Sequence, residues 1–292
     1  MPGSRSGKLL ASTVAIAVVL AIPAGASAAT TIGSPLISPN TGGSCGTNET
    51  TVNATLASGT REAPFDGFIV RWRLSLAAPG GNHHYSLRVL HPNGGTSLTG
   101  VATGPPQTAT AAGVNVLTLP SPLAIRAGDV LGINCEAGAP SAFSNAAPTS
   151  TSITNISPPL ADGATASGTG PFPHDESLVN ADIAPKPSNA FTLGAVTRHK
   201  RKGTATIEVT VPGPGTLALS GAGVKGRTAA AGKSVSAAGT VKLAVKPTGG
   251  VKRKLARIGT AKLKIAVTYT PSGEVPGDPN TQRRKLKLIK HL

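Results

Sequence analysis

The chain has 292 residues, a formal net charge of +16 and an aromatic content of 3%. So few aromatic side chains exclude a core built on rings and leave little with which to stack on bases, as a reader of nucleic acid would. Charge is also shared unevenly: Asn189 to Leu292 carries 20 Lys and Arg against three acids, whereas Ala29 to Ser188 carries six bases against nine acids. A change of sign along a chain marks two domains facing different molecules.

Arg5 and Lys8 precede an apolar run from Leu9 to Ile22, followed by Pro23 and the small residues Ala24 to Ala28. A basic start, an apolar middle and an A-x-A site at Ala26 and Ala28 predict a secretory signal peptide over 1–28. The competing reading, an uncleaved anchor, meets a run shorter than the ~20 residues a spanning helix needs. Export makes the two cysteines readable: Cys45 and Cys135 are expected to pair in an oxidising compartment, closing a loop of ~90 residues. Free buried thiols are the alternative.

Alternation then dominates, and helical periodicity is nearly absent. Val52, Ala54 and Leu56 alternate with polar neighbours; Phe68, Val70, Trp72, Leu74 and Leu76 do so against Arg71, Arg73 and Ser75; Tyr85, Leu87 and Val89 repeat the pattern. A strand pair runs through Val114 to Leu119 and Leu123 to Cys135, bent at Ala127, Gly128 and Asp129. Short strands at this spacing predict a β-sandwich of jelly-roll type over 29–184. The stretch 138–173, mostly Ala, Ser, Thr, Gly and Pro, reads as a low-complexity surface loop or pair of loops. Ser177 to Ile183 is expected to return as a closing strand, and 185–190, with Pro185, Lys186 and Pro187, reads as a stiff linker.

In the basic part, 191–292, strands are predicted at Phe191 to Val196, Thr204 to Val211, Thr216 to Ser220, Val241 to Val245, Ala261 to Thr270 and Arg283 to Leu288. Val251, Leu255 and Ile258 recur at helical spacing and predict one short amphipathic helix. The whole is therefore expected to be all-β, two sandwiches after a signal peptide, the second immunoglobulin-like in size.

Several stretches of the second part carry a resemblance. Phe191 to Gly194, Lys202 to Ala205, Val211-Pro-Gly-Pro-Gly-Thr-Leu217, Leu219 to Gly221 with Gly223 to Lys225, Ala237 to Lys246, and Val267 to Gly273 are similar to a C-terminal module of exported actinobacterial proteins. Pro64 to Arg73 and Ala127 to Gly132 resemble the β-sandwich that often precedes it. The resemblance implies this two-sandwich architecture and export to the bacterial exterior, secreted or attached at the cell surface. It carries over no catalytic residue.

Motifs that imitate chemistry fail on context. Gly221-Ala-Gly-Val-Lys-Gly226 is a formal GxGxxG after a strand, but no crossover helix or ribose-binding acid follows. Gly232-Lys233-Ser234 has Arg227 where a phosphate loop needs glycine. Gly42-Gly-Ser-Cys-Gly46 matches a nucleophile elbow, yet it sits near the mature N-terminus beside the expected disulfide. Adjacent His83 and His84 on a strand would point to opposite faces. His174, Asp175 and Glu176 fit no EF-hand spacing. No cofactor, metal or catalytic residue is assigned, and the chain is read as a non-enzyme.

What remains is the basic surface. Arg198, Lys200, Arg201 and Lys202, then Lys252, Arg253, Lys254 and Arg257, then Arg283, Arg284, Lys285 and Lys287 form three clusters expected to touch anionic cell-wall polymers or acidic polysaccharide through charge alone. A merely solvated surface is the bland alternative. The rival function is a carbohydrate-binding module or hydrolase with its site in the first sandwich near Trp72, Asp129 or the His and Asp positions.

Overall fold

The computed structural model describes residues 29–45, 47–226 and 232–291. The expected signal peptide, 1–28, lies outside the described residues. The fold is all-β, with one helix among the described residues.

The first part holds β1 (Thr30–Gly33), β2 (Glu49–Thr55), β3 (Gly67–Leu76), β4 (Tyr85–Gly94), β5 (Ser97–Thr103), β6 (Gly113–Ile125) and β7 (Val130–Cys135). It continues with β8 (Phe143–Ser144), β9 (Ser152–Ile156), β10 (Thr165–Ser167), β11 (Thr169–Pro173), β12 (Glu176–Ser177) and β13 (Val179–Pro185). Four strands form the sheet β1-β13-β3-β6, seven form β10-β5-β4-β7-β2-β9-β11, and β12 pairs with β8. Between the two large sheets lies a core that includes Ile69, Trp72 and Leu74 from one and Tyr85, Leu87 and Ile133 from the other. A second cluster, with Val52, Leu90, Val130, Ile156 and Leu160, lies on the other face of the seven-stranded sheet, because Val130 alternates with Leu131 and Ile133.

Three expectations change in detail. Along β3 the buried residues are Ile69, then Trp72, Leu74 and Leu76, not Phe68 and Val70. Register with both neighbouring strands shifts between Ile69 and Arg71, so one extra residue flips the inward face. Val114 to Leu119 and Leu123 belong to a single strand, β6; only the turn at Ala127 to Asp129 separates it from β7.

The third correction concerns 138–173, which is no surface loop: it carries β8 to β11, and β9 pairs with β2 on one side and β11 on the other. Ile153, Ile156 and Leu160 are buried, as are Ala139, Ala142, Thr151 and Thr154. Small residues suffice here because the ladder supplies the hydrogen bonds and the neighbouring strands supply the bulk.

The expected disulfide forms, Cys45 to Cys135, with Cα atoms 6.2 Å apart. It ties the segment before β2 to the end of β7.

The second part holds β14 (Thr192–His199), β15 (Thr204–Val211), β16 (Gly215–Ser220), β17 (Lys233–Val235), β18 (Gly239–Val245), α1 (Gly249–Ile258), β19 (Thr260–Pro271) and β20 (Asn280–Ile289). Sheets of three strands, β14-β15-β18, and four, β17-β16-β19-β20, enclose one core. Ile207, Val209 and Val211 face into it from β15, and Leu263, Ile265, Val267 and Tyr269 from β19, as alternation requires. The Tyr269 hydroxyl donates to the Gly213 or Pro214 carbonyl, each 2.9 Å away, and its ring meets Phe191 edge-on at 6.1 Å.

Helix α1 buries Leu255 and ends at Gly259, whose positive φ of 68° lets its N–H reach the Leu255 carbonyl at 3.1 Å. Leu255 fits because residue 203 is glycine: a Cβ there would stand 2.5 Å from Leu255 Cδ2. The linker is fastened rather than free. Lys186 pairs with Asp278, Asn189 Nδ2 donates to the Asp278 carbonyl at 3.1 Å, and Asn280 Nδ2 donates to the Asn189 carbonyl at 3.0 Å.

Candidate functional site

The three basic stretches meet at one end of the second sandwich. The β14–β15 turn closes when Gly203 N–H donates to the His199 carbonyl at 2.9 Å, which presents Lys200, Arg201 and Lys202 to solvent. Arg198 Nε donates to the Lys287 carbonyl at 2.9 Å, and His291 N–H donates to the Lys200 carbonyl at 3.1 Å. Lys290 N–H donates to the Gly259 carbonyl at 2.7 Å, bringing the end of α1 alongside. Lys252, Arg253, Lys254 and Arg257 are exposed on that helix, and Arg257 lies in its last turn, where positive charge suits the helix dipole.

The neighbouring face of β19 and β20 adds a feature hidden from sequence spacing. Register sets Lys262 opposite Lys287, Lys264 opposite Lys285 and Ala266 opposite Arg283. All five cations are exposed on the outer face, because Leu263, Ile265, Leu286 and Leu288 fill the inner one. Like charges directly opposite one another are destabilising, so two lysine rungs side by side are not what solubility alone would favour. Lys262 and Lys264 are alternating residues that belong to the site but were outside the three sequence clusters. The signal that would have found them is strand pairing: β19 and β20 are joined antiparallel neighbours, and sliding them into register brings the lysines together.

Arg284 departs from the expected role. It lies on the alternate side of β20, half-buried, and Nη1 donates to the Leu193 carbonyl at 3.2 Å and to the Gly194 carbonyl. It fastens β14 to β20 instead of facing an outside partner. Among the described residues, Lys186 with Asp278 is the one ion pair that touches the second sandwich; the others all join residues of the first. Among the described residues, the basic surface thus makes no ion pair of its own.

In the first sandwich the rival positions are occupied by structural work. Trp72 is fully buried and its Nε1 donates to Gln107 Oε1 at 2.6 Å, so it offers no stacking platform. Asp129 is buried, accepting from Arg126 N–H at 2.9 Å and lying 3.0 Å from His91 Nδ1. Glu176 accepts from the Ser34 hydroxyl at 2.6 Å.

His83 and His84 sit in a turn before β4 rather than on a strand, so both reach one carboxylate: their Nδ1 atoms lie 3.6 and 3.4 Å from Glu136. The His84 N–H first, and then the two rings, hold Glu136 below the usual carboxylate range. No set of three or more His, Cys, Asp or Glu among the described residues is arranged to hold a metal ion.

The glycine motif at 221–226 is a turn under α1: Gly223 has φ of 74°, and a Cβ there would stand 2.2 Å from Val251 Cγ2. Ser44 bridges to Pro140 beside the disulfide and stands on no strand-to-helix elbow. Arg227, which breaks the phosphate-loop pattern, lies outside the described residues.

No protein-family model matches the chain, and no curated protein sequence matches it.

Proposed function

We propose that the protein is an exported, non-enzymatic binding protein whose second sandwich holds it on anionic polymers of the bacterial envelope. The observation that carries this reading is the pair of lysine rungs, Lys262 with Lys287 and Lys264 with Lys285, contiguous with Arg283 and with the basic hairpin and helix at the sheet's end. An extended polyanion lying along β19 and β20 would meet a cation about every 7 Å of strand on each side. It would relieve the repulsion between the rungs while releasing its own counterions. Export is supported by the leader pattern and the disulfide. The resemblance to exported actinobacterial proteins agrees with it.

The test uses the mature chain and washed cell-wall fragments, with and without their anionic polymer removed. Retention should fall steeply and linearly on a log–log plot as salt rises, and stripped fragments should retain nothing. Retention that ignores salt, or that survives stripping, overturns the charge mechanism.

A further inference from the structure

At one end of the first sandwich lies a cleft of about 240 Å³, walled in part by the disulfide. Strand register builds it. Glu49 stands opposite Cys135, and Thr51 stands opposite Ile133 on one side and Asn155 on the other. Side chains 49, 51 and 155 therefore share the face that carries Ile133 and Cys135 into the core. An inward face should be apolar, yet at this end it presents a carboxylate, a hydroxyl and an amide.

Two of these groups lack partners. Asn155 Oδ1 is buried and accepts no hydrogen bond. Glu49 is half-buried, and among the described residues no donor or cation reaches its carboxylate, while burial pushes its pKa above the usual range. A buried acceptor left unmatched is destabilising until a donor arrives. Ser44, Ser141 and Phe143 complete the wall, and no Lys, Arg or His lines it. Anions are thus repelled, and a cationic donor is what the two acceptors select.

We propose that this cleft binds a small hydroxylated molecule through a primary ammonium group, an amino sugar being the simplest example. The ammonium donates to the Glu49 carboxylate and, once the Asn155 amide turns to bring its buried oxygen to the cleft, to Asn155 Oδ1. Hydroxyls of the ligand meet Ser44, Thr51 and Ser141, and its apolar face lies against Phe143. The volume lies below the roughly 300–1,000 Å³ of drug-sized sites, which fits one sugar ring rather than a chain. Glu49 stands alone, without a second carboxylate across the cleft, so the site is a binding site and not a pair for glycoside hydrolysis. It is independent of the basic face.

The experiment titrates D-glucosamine into the isotopically labelled mature chain and follows backbone amide shifts, with D-glucose and D-glucuronate as comparisons. Glucosamine should move the amides of Glu49, Thr51 and Asn155 saturably, with glucose at least about tenfold weaker and glucuronate without effect. Glu49→Gln, its spectrum otherwise unchanged, should weaken glucosamine by about tenfold or more, and Asn155→Asp should tighten it. Equal binding of glucose, an unchanged affinity in Glu49→Gln, or no saturable shift up to tens of millimolar overturns the proposal. Salt-dependent retention on cell walls stays intact in every one of these cases, so the two readings fail separately.

Discussion

Reversing Lys262 and Lys264 together to Glu separates a surface that is basic for a partner from one that is basic for solubility. Each rung now sets two ammonium groups face to face. At a separation of roughly 7 Å in water, each unscreened pair is worth about 0.6 kcal/mol. Changing one sign swings twice that amount. Two rungs then give about 2 kcal/mol of added stability at low salt, falling to about 1 kcal/mol near 0.1 M, where the Debye length is ~10 Å. For a unit of about 100 residues each kcal/mol moves the melting temperature by about 4–8 °C.

Scanning calorimetry of the full mature chain measures the effect. The fluorescence of the single tryptophan, Trp72, marks the transition of the first sandwich, which should not move. Retention on anionic wall polymer should fall in the same variant and its salt slope should flatten. Stability up and binding down is the signature of a functional compromise. If the second transition is unmoved or lowered, or if retention is unchanged, the rungs neither strain the fold nor contact the polymer and the reasoning is wrong.

Other perturbations read different parts of the molecule. Replacing Cys45 and Cys135 by Ala opens a sequence separation of 90 residues; the first sandwich should lose about 4 to 5 kcal/mol in denaturant titration, matched by wild type under reductant. Asp182 is held far below the ordinary carboxylate range by Arg73 first, then by Thr31 and Arg71. A depressed pKa in the folded state contributes stability that is present above the ordinary aspartate range and lost as pH falls below it. Trp72-monitored melting should show that acid loss in wild type, whereas Asp182→Asn should be less stable at neutral pH and lose less on acidification. Leu255→Ala empties the contact between α1 and Gly203; it should cost the second sandwich about 2–4 kcal/mol in chemical denaturation and weaken wall retention by loosening the basic helix.

The strands of the second sandwich were nearly all legible because Val, Leu and Ile alternate there with charged residues, and Thr204–Val211 is a strand from end to end. The helix followed from Val251, Leu255 and Ile258, although of these Leu255 is buried, Val251 half-buried and Ile258 exposed. In the first sandwich legibility depended on side-chain size. β10 is Thr-Ala-Ser, and in β9 Ile153 and Ile156 stand three positions apart among Ser, Thr and Asn rather than alternating, so the stretch suggested a loop where backbone pairing makes a sheet. The bulge in β3 defeated simple alternation because one inserted residue changes the face of every residue before it.

The candidate sites were half-visible for a related reason. Clusters adjacent in sequence could be seen, but Lys264 meets Lys285, and Thr51 meets Asn155, only through register between strands. Arg284 shows the opposite error, where a residue inside a basic run is turned away by the pleat and put to use as a clasp.

The placement of ion pairs makes the two sandwiches respond oppositely to their surroundings. Arg71 and Arg73 on Asp182, and Arg88 on Asp162, are attractions within the first, which dissolved ions weaken. The rungs of the second are repulsions, which the same ions relieve. The gap in resilience between the two parts is therefore set by the medium: fresh water favours the first, brine favours the second, and a bound polymer acts on the second as brine does.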